Sequence, residues 1–258
     1  MVRYRLLATV AAVAAFMALA AVASADHSWN GYHWARTSSP FALQLEDDLT
    51  SAEWKGHLVN VSADWTQSTV LDTTIVNKAV GKKNCPAIAG KVRVCNGKYG
   101  FNGWLGVATI WLSGGHITQG TAKVNDSYFN LDAYNNADAK RHVVCQEVGH
   151  TLGLDHQHDV SDSCMNDQGS ALFLASAVRP NQHDYDQLAA IYGSHTDSTT
   201  TVSSAAPSGN GRNGSPPDDA LPPGAGPQQG NLFARDLGGG RMIITFVIWA
   251  QPGAPGAR

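Results

Sequence analysis

The chain has 258 residues, of which 15% are charged, and a formal net charge of −3. This length suits one domain of ordinary catalytic size with additional tails. The chain has no basic run or basic-aromatic patch, which excludes a nucleic-acid-binding function.

The first 25 residues have the pattern of a secretory signal peptide. Arg3 and Arg5 give a positive start, Leu6 to Val22 is apolar, and residues 23–25 supply the small side chains of a cleavage site. Cleavage would leave Asp26 first and, by removing the two arginines, change the formal charge from −3 to −5. An uncleaved membrane anchor is the alternative. We predict a secreted, extracellular protein that has no membrane attachment after cleavage.

Strand and helix patterns follow in chain order. Alternating apolar residues predict a strand over 41–46, and Thr50 with Glu53 forms a capping-box pattern that predicts a helix start. Apolar residues spaced by four, three and four then predict the helix face that packs on the sheet: Trp54, Leu58, Val61 and Trp65. Further strands are predicted over 68–80, 91–94, 103–112 and 121–125.

The strand predicted over 121–125 comes just before the next helix. It is a candidate for the sheet edge that pairs with an extended peptide. Ordinary sheet structure is the alternative, because an edge position is not visible in sequence.

A helix is predicted from about Asp138 to Leu152, and Gly153 ends it. Apolar residues line one of its faces, and His142, Gln146 and His150 line another at the same spacing of four. A last helix is predicted over 184–192. Residues 26–195 are therefore predicted to form one domain.

The remainder of the chain differs in composition. Residues 196–230 are rich in Ser, Thr, Gly and Pro, which is typical of a flexible linker. Residues 231–258 contain one apolar run, Met242 to Ala250, which is too short for a bilayer that needs about 20 residues. This run could form a strand added to a sheet edge, and the end after it is predicted to be disordered.

Four cysteines follow the predicted cleavage site, which fits an oxidising exterior. Four cysteines allow three pairings. We predict Cys85 with Cys95 and Cys145 with Cys164, and the second bond is expected to contribute roughly 3 kcal/mol in the loop-entropy model. Free or metal-binding thiols are the alternative, which the lack of a Cys-x-x-Cys pattern disfavours.

Residues 146–156 carry the chemistry that the sequence indicates. Zinc hydrolases with the His-Glu-x-x-His pattern place two imidazoles four residues apart on one helix face, so that both reach one ion. Here Glu147 is the predicted general base, His150 the second ligand and His156 the third, after a helix break at Gly153. Gln146 stands at the position of the first ligand.

Residues 146–156 resemble the elongated zinc signature of the metzincin proteases. Cys164-Met165 stands at the position of their Met-turn, and residues 183–193 are similar to the closing helix of the matrixin branch. The resemblance implies an α+β fold: a twisted mixed sheet with one antiparallel edge strand, an active-site helix and a closing C-terminal helix. It also implies zinc as cofactor, Met165 below the metal, and an extended peptide or protein as substrate in an open cleft. We expect a monomer.

Gln146 is the main departure from that pattern. Its amide oxygen is a poorer zinc ligand than imidazole, so we expect weaker binding through Gln146, His150 and His156. His142 and His158 are alternative ligands, and His158 is the easier of the two to reach. Calcium is left open, since the acidic side chains of 155–167 lack the spacing of a calcium loop. The stretch 26–40 contains no cysteine for a matrixin-like cysteine switch.

Three functions are consistent with this sequence. The leading one is a secreted zinc endopeptidase in which Glu147 takes a proton from the attacking water and returns it to the leaving amine. The second is a secreted, non-catalytic module that binds peptides on a metalloprotease fold, which Gln146 favours. The third is a metal hydrolase with a different substrate, because a fold does not determine the substrate.

Overall fold

The computed structural model describes residues 27–77, 84–158, 161–203 and 221–256. The predicted signal peptide lies outside the described residues, as does the middle of the predicted linker, 204–220. In the parts of the chain that are described, no helix is both long and apolar enough to span a membrane.

One sheet contains eight strands and runs β3-β2-β4-β6-β5-β8-β7, with β1 paired beside β6. The strands are β1 (His33–Trp34), β2 (Phe41–Asp48), β3 (Leu71–Asn77), β4 (Val92–Gly97), β5 (Trp104–Ser113), β6 (His116–Asn125), β7 (Leu232–Gly238) and β8 (Arg241–Trp249). Strands β1 to β4 and β6 are parallel, whereas β5, β8 and β7 join by antiparallel pairs.

In the described ranges, four α-helices accompany the sheet: α1 (Ala52–Trp65), α2 (Asp126–Phe129), α3 (Ala137–Thr151) and α4 (Gln182–Tyr192). Helices and a mixed sheet in this order confirm the predicted α+β class. The cap of α1 differs from the expected one, because Ser51 accepts the hydrogen bond from the Trp54 amide while Thr50 bonds to Asn96. The closing helix α4 begins with a complete capping box, formed by Asn181 and Asp184.

Helices α1 and α3 pack together on the sheet. The predicted apolar stripe of α1 is buried throughout. Trp65, at its end, donates a hydrogen bond of 3.2 Å from its indole nitrogen to the Cys145 carbonyl on α3. Gly149 permits this approach, since a Cβ there would collide with Trp65 and Met165. The sequence of α3 is thus fitted to α1 on one side and to the loop containing Met165 on the other.

The N-terminal segment 27–35, here called the strap, crosses the C-terminal end of α3. Ser28 forms a β-bridge with Leu154, and the Trp34 indole donates a 2.8 Å hydrogen bond to the Thr151 carbonyl. The Tyr192 hydroxyl of α4 donates to the Leu152 carbonyl at 2.7 Å. These bonds satisfy carbonyls that a helix end otherwise leaves unpaired.

The C-terminal hairpin β7–β8 extends the sheet beyond β5. Residues Arg241 to Trp249 run antiparallel to β5, with Phe246 opposite Ala108. Strand β6 lies inside the sheet, between β4 and β5, so the prediction that it is the peptide-pairing edge is wrong. The sheet does end in one antiparallel strand, β7, and β8 occupies the outer side of β5.

Two disulfides join the four cysteines, Cys85 to Cys95 and Cys145 to Cys164. The second bond links the middle of α3 to the loop that precedes α4. Both of its sulfur-bearing residues are fully buried.

Candidate metal centre

The predicted ligand residues gather at the C-terminal half of α3. Gln146, Glu147 and His150 are all fully buried, and His156 is 5% exposed. After the helix, Gly153 has φ +99°, in the left-handed region that glycine adopts without strain. A Cβ at Gly153 would also collide with the Tyr32 carbonyl of the strap. This turn brings His156 back against the helix.

The rings of His150 and His156 face each other through their Nε2 atoms, which are 3.1 Å apart. The Nδ1 atom of His150 is 2.9 Å from the Leu154 carbonyl. A carbonyl only accepts, so Nδ1 carries the proton and Nε2 keeps a free lone pair. Two nitrogens at 2.0–2.1 Å from one tetrahedral zinc would lie roughly 3.3 Å apart. The observed separation therefore fits a shared ion.

Burial keeps both imidazoles in the form that binds metals. It lowers the pKa of His150 from 6.5 to about 3 and the pKa of His156 well below 6.5. Neutral imidazole is the metal-binding species. The pair is therefore available to a cation at neutral pH.

Two further polar groups on α3 are buried without a hydrogen bond in the described structure. These are both amide atoms of Gln146 and both carboxyl oxygens of Glu147. Buried polar atoms nearly always have partners, so four unpartnered atoms on one helical turn indicate a missing ligand. Gln146 precedes His150 by four residues and shares its helix face. Its amide oxygen is thus a fitting third donor for a cation held by the two histidines.

Glu147 is directed toward β5. A Cβ at Gly106 would collide with its carboxyl group, so glycine there makes room for the glutamate. Burial raises the pKa of Glu147 well above 4.5, and the neighbouring backbone of Ala108 counters the rise in part. Neither carboxyl oxygen of Glu147 has a described group, the Ala108 backbone included, in hydrogen-bond geometry. This placement beside the ligands, on the side of β5, suits a proton carrier.

Met165 is fully buried beneath α3, against the gap left by Gly149. Its carbonyl accepts a 2.8 Å hydrogen bond from the Gln157 amide, next to His156. Its own amide donates at 2.9 Å to the Ser163 hydroxyl. The turn at Met165 thus supports the chain that carries His156, and the Cys145–Cys164 bond ties it to α3.

The two alternative histidine ligands have other partners. His142 is 2% exposed and its Nδ1 lies 2.6 Å from the Ala177 carbonyl. The side chain of His158 is 65% exposed and its Nδ1 lies 2.8 Å from a carboxyl oxygen of Asp167. The structure therefore brings together His150 and His156, with Gln146 and Glu147 on the same helix.

His142 should make the stability of the fold pH-dependent. Burial lowers its pKa from 6.5 to about 4. As the pH falls, the unfolded chain takes up this proton first, so stability is complete above about pH 6.5 and declines down to about pH 4. At about 1.4 kcal/mol per pKa unit, the loss is about 3 kcal/mol. Urea unfolding from pH 7 to 4 is expected to show a shallower decline for His142→Gln, which can still donate to Ala177 but does not titrate. Equal slopes would contradict this assignment.

Strand β8 covers the ligand residues. The Phe246 ring stacks on His150 with a centroid distance of 4.1 Å and an interplanar angle of 4°, and lies 6.0 Å from His156. Beside it, a cavity of about 200 Å³ is lined by Gln146, by the loop 166–169 and by residues 247–252. The resemblance implied an open cleft, but in this structure the site is enclosed by the chain's own C-terminal residues.

The sequence alone names no partner for three histidines, His116, His183 and His195. The structure instead places His116 and His195 with His33 and Asp197, and stacks His183 on His27 with ring centroids 4.8 Å apart. No sequence signal could have found the first group, because its members are far apart in the chain and form no motif.

No protein-family model matches the chain, and no curated protein matches it. Among solved structures, myroilysin is similar with a TM-score of 0.40 and 11% identity, over 65% of this chain and 98% of that one. Archaemetzincin from Archaeoglobus fulgidus, solved with malonate, is similar with a TM-score of 0.37 and 13% identity, over 57% and 99%. At these scores, the fold rests on the sheet order and helices described above.

Proposed function

We propose that this chain is a secreted zinc-dependent endopeptidase of the metzincin type. The observation that carries the proposal is the pair of buried imidazole nitrogens, 3.1 Å apart, beside the unpartnered side chains of Gln146 and Glu147. His150 and His156 would hold the zinc, with the Gln146 amide oxygen as a weaker third donor. The two disulfides agree with an oxidising, extracellular setting.

Each residue has a definite task in this mechanism. Bound zinc supplies Lewis acidity for water and for the peptide carbonyl. Glu147 takes a proton from the attacking water and gives it to the leaving amine. The Leu154 carbonyl orients the His150 ring by fixing its protonated nitrogen. Met165 and the Cys145–Cys164 bond hold the ligand loop against α3.

The experiment measures zinc content and cleavage of a denatured protein for the wild-type chain, His150→Ala and Gln146→His. We expect zinc in the wild type and its loss from this site in His150→Ala. If the wild type neither binds zinc here nor cleaves, and Gln146→His gains zinc, the endopeptidase is excluded. The non-catalytic peptide-binding module would then be the better description.

Gln146→His is expected to raise zinc affinity at least tenfold. Changing groups that only support a ligand alters metal affinity by about 10–100-fold, so replacing the weakest ligand itself should have an effect at least that large. Competition with a chelator measures the affinity. Gln182→His, at an exposed position on α4, is the matched control and should leave it unchanged. An unaltered affinity in Gln146→His would show that position 146 does not face the metal.

A further inference from the structure

A second group of metal-ligating side chains lies away from α3, on the strap and its neighbours. Ligand atoms of His33, His116 and Asp197 all lie within 4.8 Å of one another. Within the described ranges, no other group of three or more His, Cys, Asp or Glu residues meets this criterion. His195 lies beside them, with its Nε2 atom 3.4 Å from that of His33, but the same atom accepts from the Arg36 guanidinium at 3.3 Å and is not counted among the ligands.

The distances in this group match a tetrahedral ion. One oxygen of Asp197, Oδ1, is 3.3 Å from Nε2 of His116 and 3.6 Å from Nε2 of His33. Ligands at about 2.0–2.1 Å from a tetrahedral zinc lie roughly 3.3 Å from one another. The two measured separations therefore agree with two edges of one coordination tetrahedron.

The surrounding groups hold these ligands in position. The Gly31 carbonyl lies 2.7 Å from Nδ1 of His33, so that nitrogen carries the proton and Nε2 is free to bind. The buried guanidinium of Arg36 donates to the second oxygen of Asp197 at 2.8 Å, which leaves Oδ1 facing the imidazoles. The pairing of β1 with β6 sets His33 directly opposite His116.

We propose that His33, His116 and Asp197 form a second zinc site, distinct from that of His150 and His156. The ion would join the strap, the start of β6 and the segment after α4. Because the strap lies across the end of α3, this site would have a structural role. The donors are two imidazole nitrogens and one carboxylate oxygen, a set that suits zinc better than calcium or magnesium.

The test adds zinc alone to the full chain and counts bound ions. His150→Ala/His156→Ala, which lacks the two imidazole ligands of the first site, should still bind one zinc per chain and should lose it when His116→Ala or Asp197→Asn is added. His57→Gln, a half-buried histidine outside the group, is the control. The proposal would be overturned if His150→Ala/His156→Ala bound no zinc, or if adding His116→Ala left the number of bound zinc ions unchanged. The group would then be an ordinary network of ion pairs. If a variant folds poorly, the absorption spectrum of bound Co²⁺ is compared between proteins with and without His116, and a difference supports the second site.

A separate observation concerns the C-terminal hairpin. Strand β8 pairs with β5 from Trp104 to Ser113, and its Phe246 stacks on the ligand His150. Apolar residues line both faces of this strand pair. Ile244 and Phe246 are buried on the face toward α3. On the opposite face, Val247 is buried with Trp104 and Val107. An extended peptide that reached His150 along β5 would need the position that β8 occupies.

Contacts beyond the strand also hold the hairpin in place. The Gln251 amide donates to the Tyr134 hydroxyl at 2.8 Å, and the Tyr128 hydroxyl donates to the Pro255 carbonyl at 2.6 Å. Asn231 donates to Asp167, in the loop that lines the cavity beside Gln146, at 2.6 Å. The hairpin is therefore attached to the walls of the site at both of its ends.

We infer that the hairpin β7–β8 is an internal inhibitor that occupies the peptide position and must leave β5 before a substrate can bind. This inference rests on the proposed peptidase function. The inhibitor belongs to the same chain and is joined to the domain through residues 204–220.

Two full-chain variants move the hairpin in opposite directions. Ile244→Pro places a residue without an amide proton in the middle of β8, at a position whose backbone faces Ile110 of β5 in the alternating ladder, and so destabilises the β5–β8 pairing. Thr109→Cys/Thr245→Cys should lock the hairpin, because these two residues are direct partners with hydroxyl oxygens 3.4 Å apart. Each single cysteine variant is the control. Hydrogen exchange at the β5 amides reports whether the strand has detached.

Two readouts follow the opening. Modification of His150 and His156 by diethyl pyrocarbonate in metal-free protein measures access, and cleavage of a denatured protein measures activity. Both should increase about tenfold in Ile244→Pro, the factor expected from one lost ladder hydrogen bond, and both should fall below wild type in the locked form. The proposed inhibitory role would be wrong if the hairpin detached without any increase in modification of His150 and His156. It would also be wrong if the locked form cleaved at the wild-type rate. Greater access without cleavage in any variant would confirm that the hairpin covers the site and would contradict the peptidase.

Discussion

Replacing Glu147 by glutamine is expected to lower the rate of peptide cleavage by about 10²–10⁴-fold, the usual contribution of a general base. Glutamine has nearly the same shape but cannot accept the proton of the attacking water. The carboxyl group points toward β5 near the Ala108 backbone, and glutamine keeps one oxygen at that place. Zinc content should therefore stay the same. Rates are best compared in the Ile244→Pro background, where access to the site is expected to be greater.

The control for this prediction is Glu53→Gln. Glu53 is an exposed glutamate of α1 whose carboxyl group pairs with Lys140 at 2.8 Å, and its loss should leave the cleavage rate unchanged. A Glu147→Gln protein that keeps its zinc and cleaves at the parental rate would remove Glu147 from the mechanism. A protein that loses both zinc and cleavage would instead indicate that Glu147 supports the metal site.

Removal of the Cys145–Cys164 disulfide by Cys145→Ala/Cys164→Ala is expected to lower the free energy of unfolding by about 3 kcal/mol. The bond closes a sequence separation of 19 residues and links α3 to the turn at Met165. Since that turn supports the segment carrying His156, zinc affinity should fall as well. Urea unfolding under oxidising conditions measures the first effect, and chelator competition the second.

The other disulfide provides the matched comparison. Cys85 and Cys95 close a shorter separation of 10 residues, and Cys95 lies on β4, outside the ligand set. Cys85→Ala/Cys95→Ala should therefore cost somewhat less stability and leave the affinity of the α3 ligands unchanged. Equal losses of zinc affinity in the two double variants would show that the effect is a general loosening of the fold.

Local pattern was sufficient to predict most elements of the domain. The stripe from Trp54 to Trp65 reflects burial on one face of α1, which the sequence records directly. Helix α3 is buried on nearly all sides, and its sequence showed this only as one apolar face beside the face of the predicted ligands. The roles of two glycines were not visible. Gly106 interrupts a strand pattern in sequence, but in the structure it makes room for Glu147; Gly149 does the same for Met165 and Trp65. Such roles depend on neighbours that only the tertiary fold supplies.

Long-range pairing was the part that the sequence could not provide. The apolar run Met242 to Ala250 was recognisable as a strand, but its partner could not be named, because β5 lies more than 100 residues earlier in the chain. The edge was consequently assigned to β6, which is internal. The same reason applies to His33, His116 and Asp197, whose proximity depends on the pairing of β1 with β6 and on the ion pair of Arg36.

The position of β8 also affects how the chain reaches its native state. Strand β5 is synthesised long before its outer partner, and its sequence, from Trp104 to Leu112, is largely apolar. Until residues 241–249 have emerged from the ribosome, β5 presents open amide and carbonyl groups on an apolar strand, a surface that favours association between chains. A chain that ends at residue 203 is therefore expected to self-associate through β5. By covering β5, the strand that is synthesised last would prevent association between newly made chains.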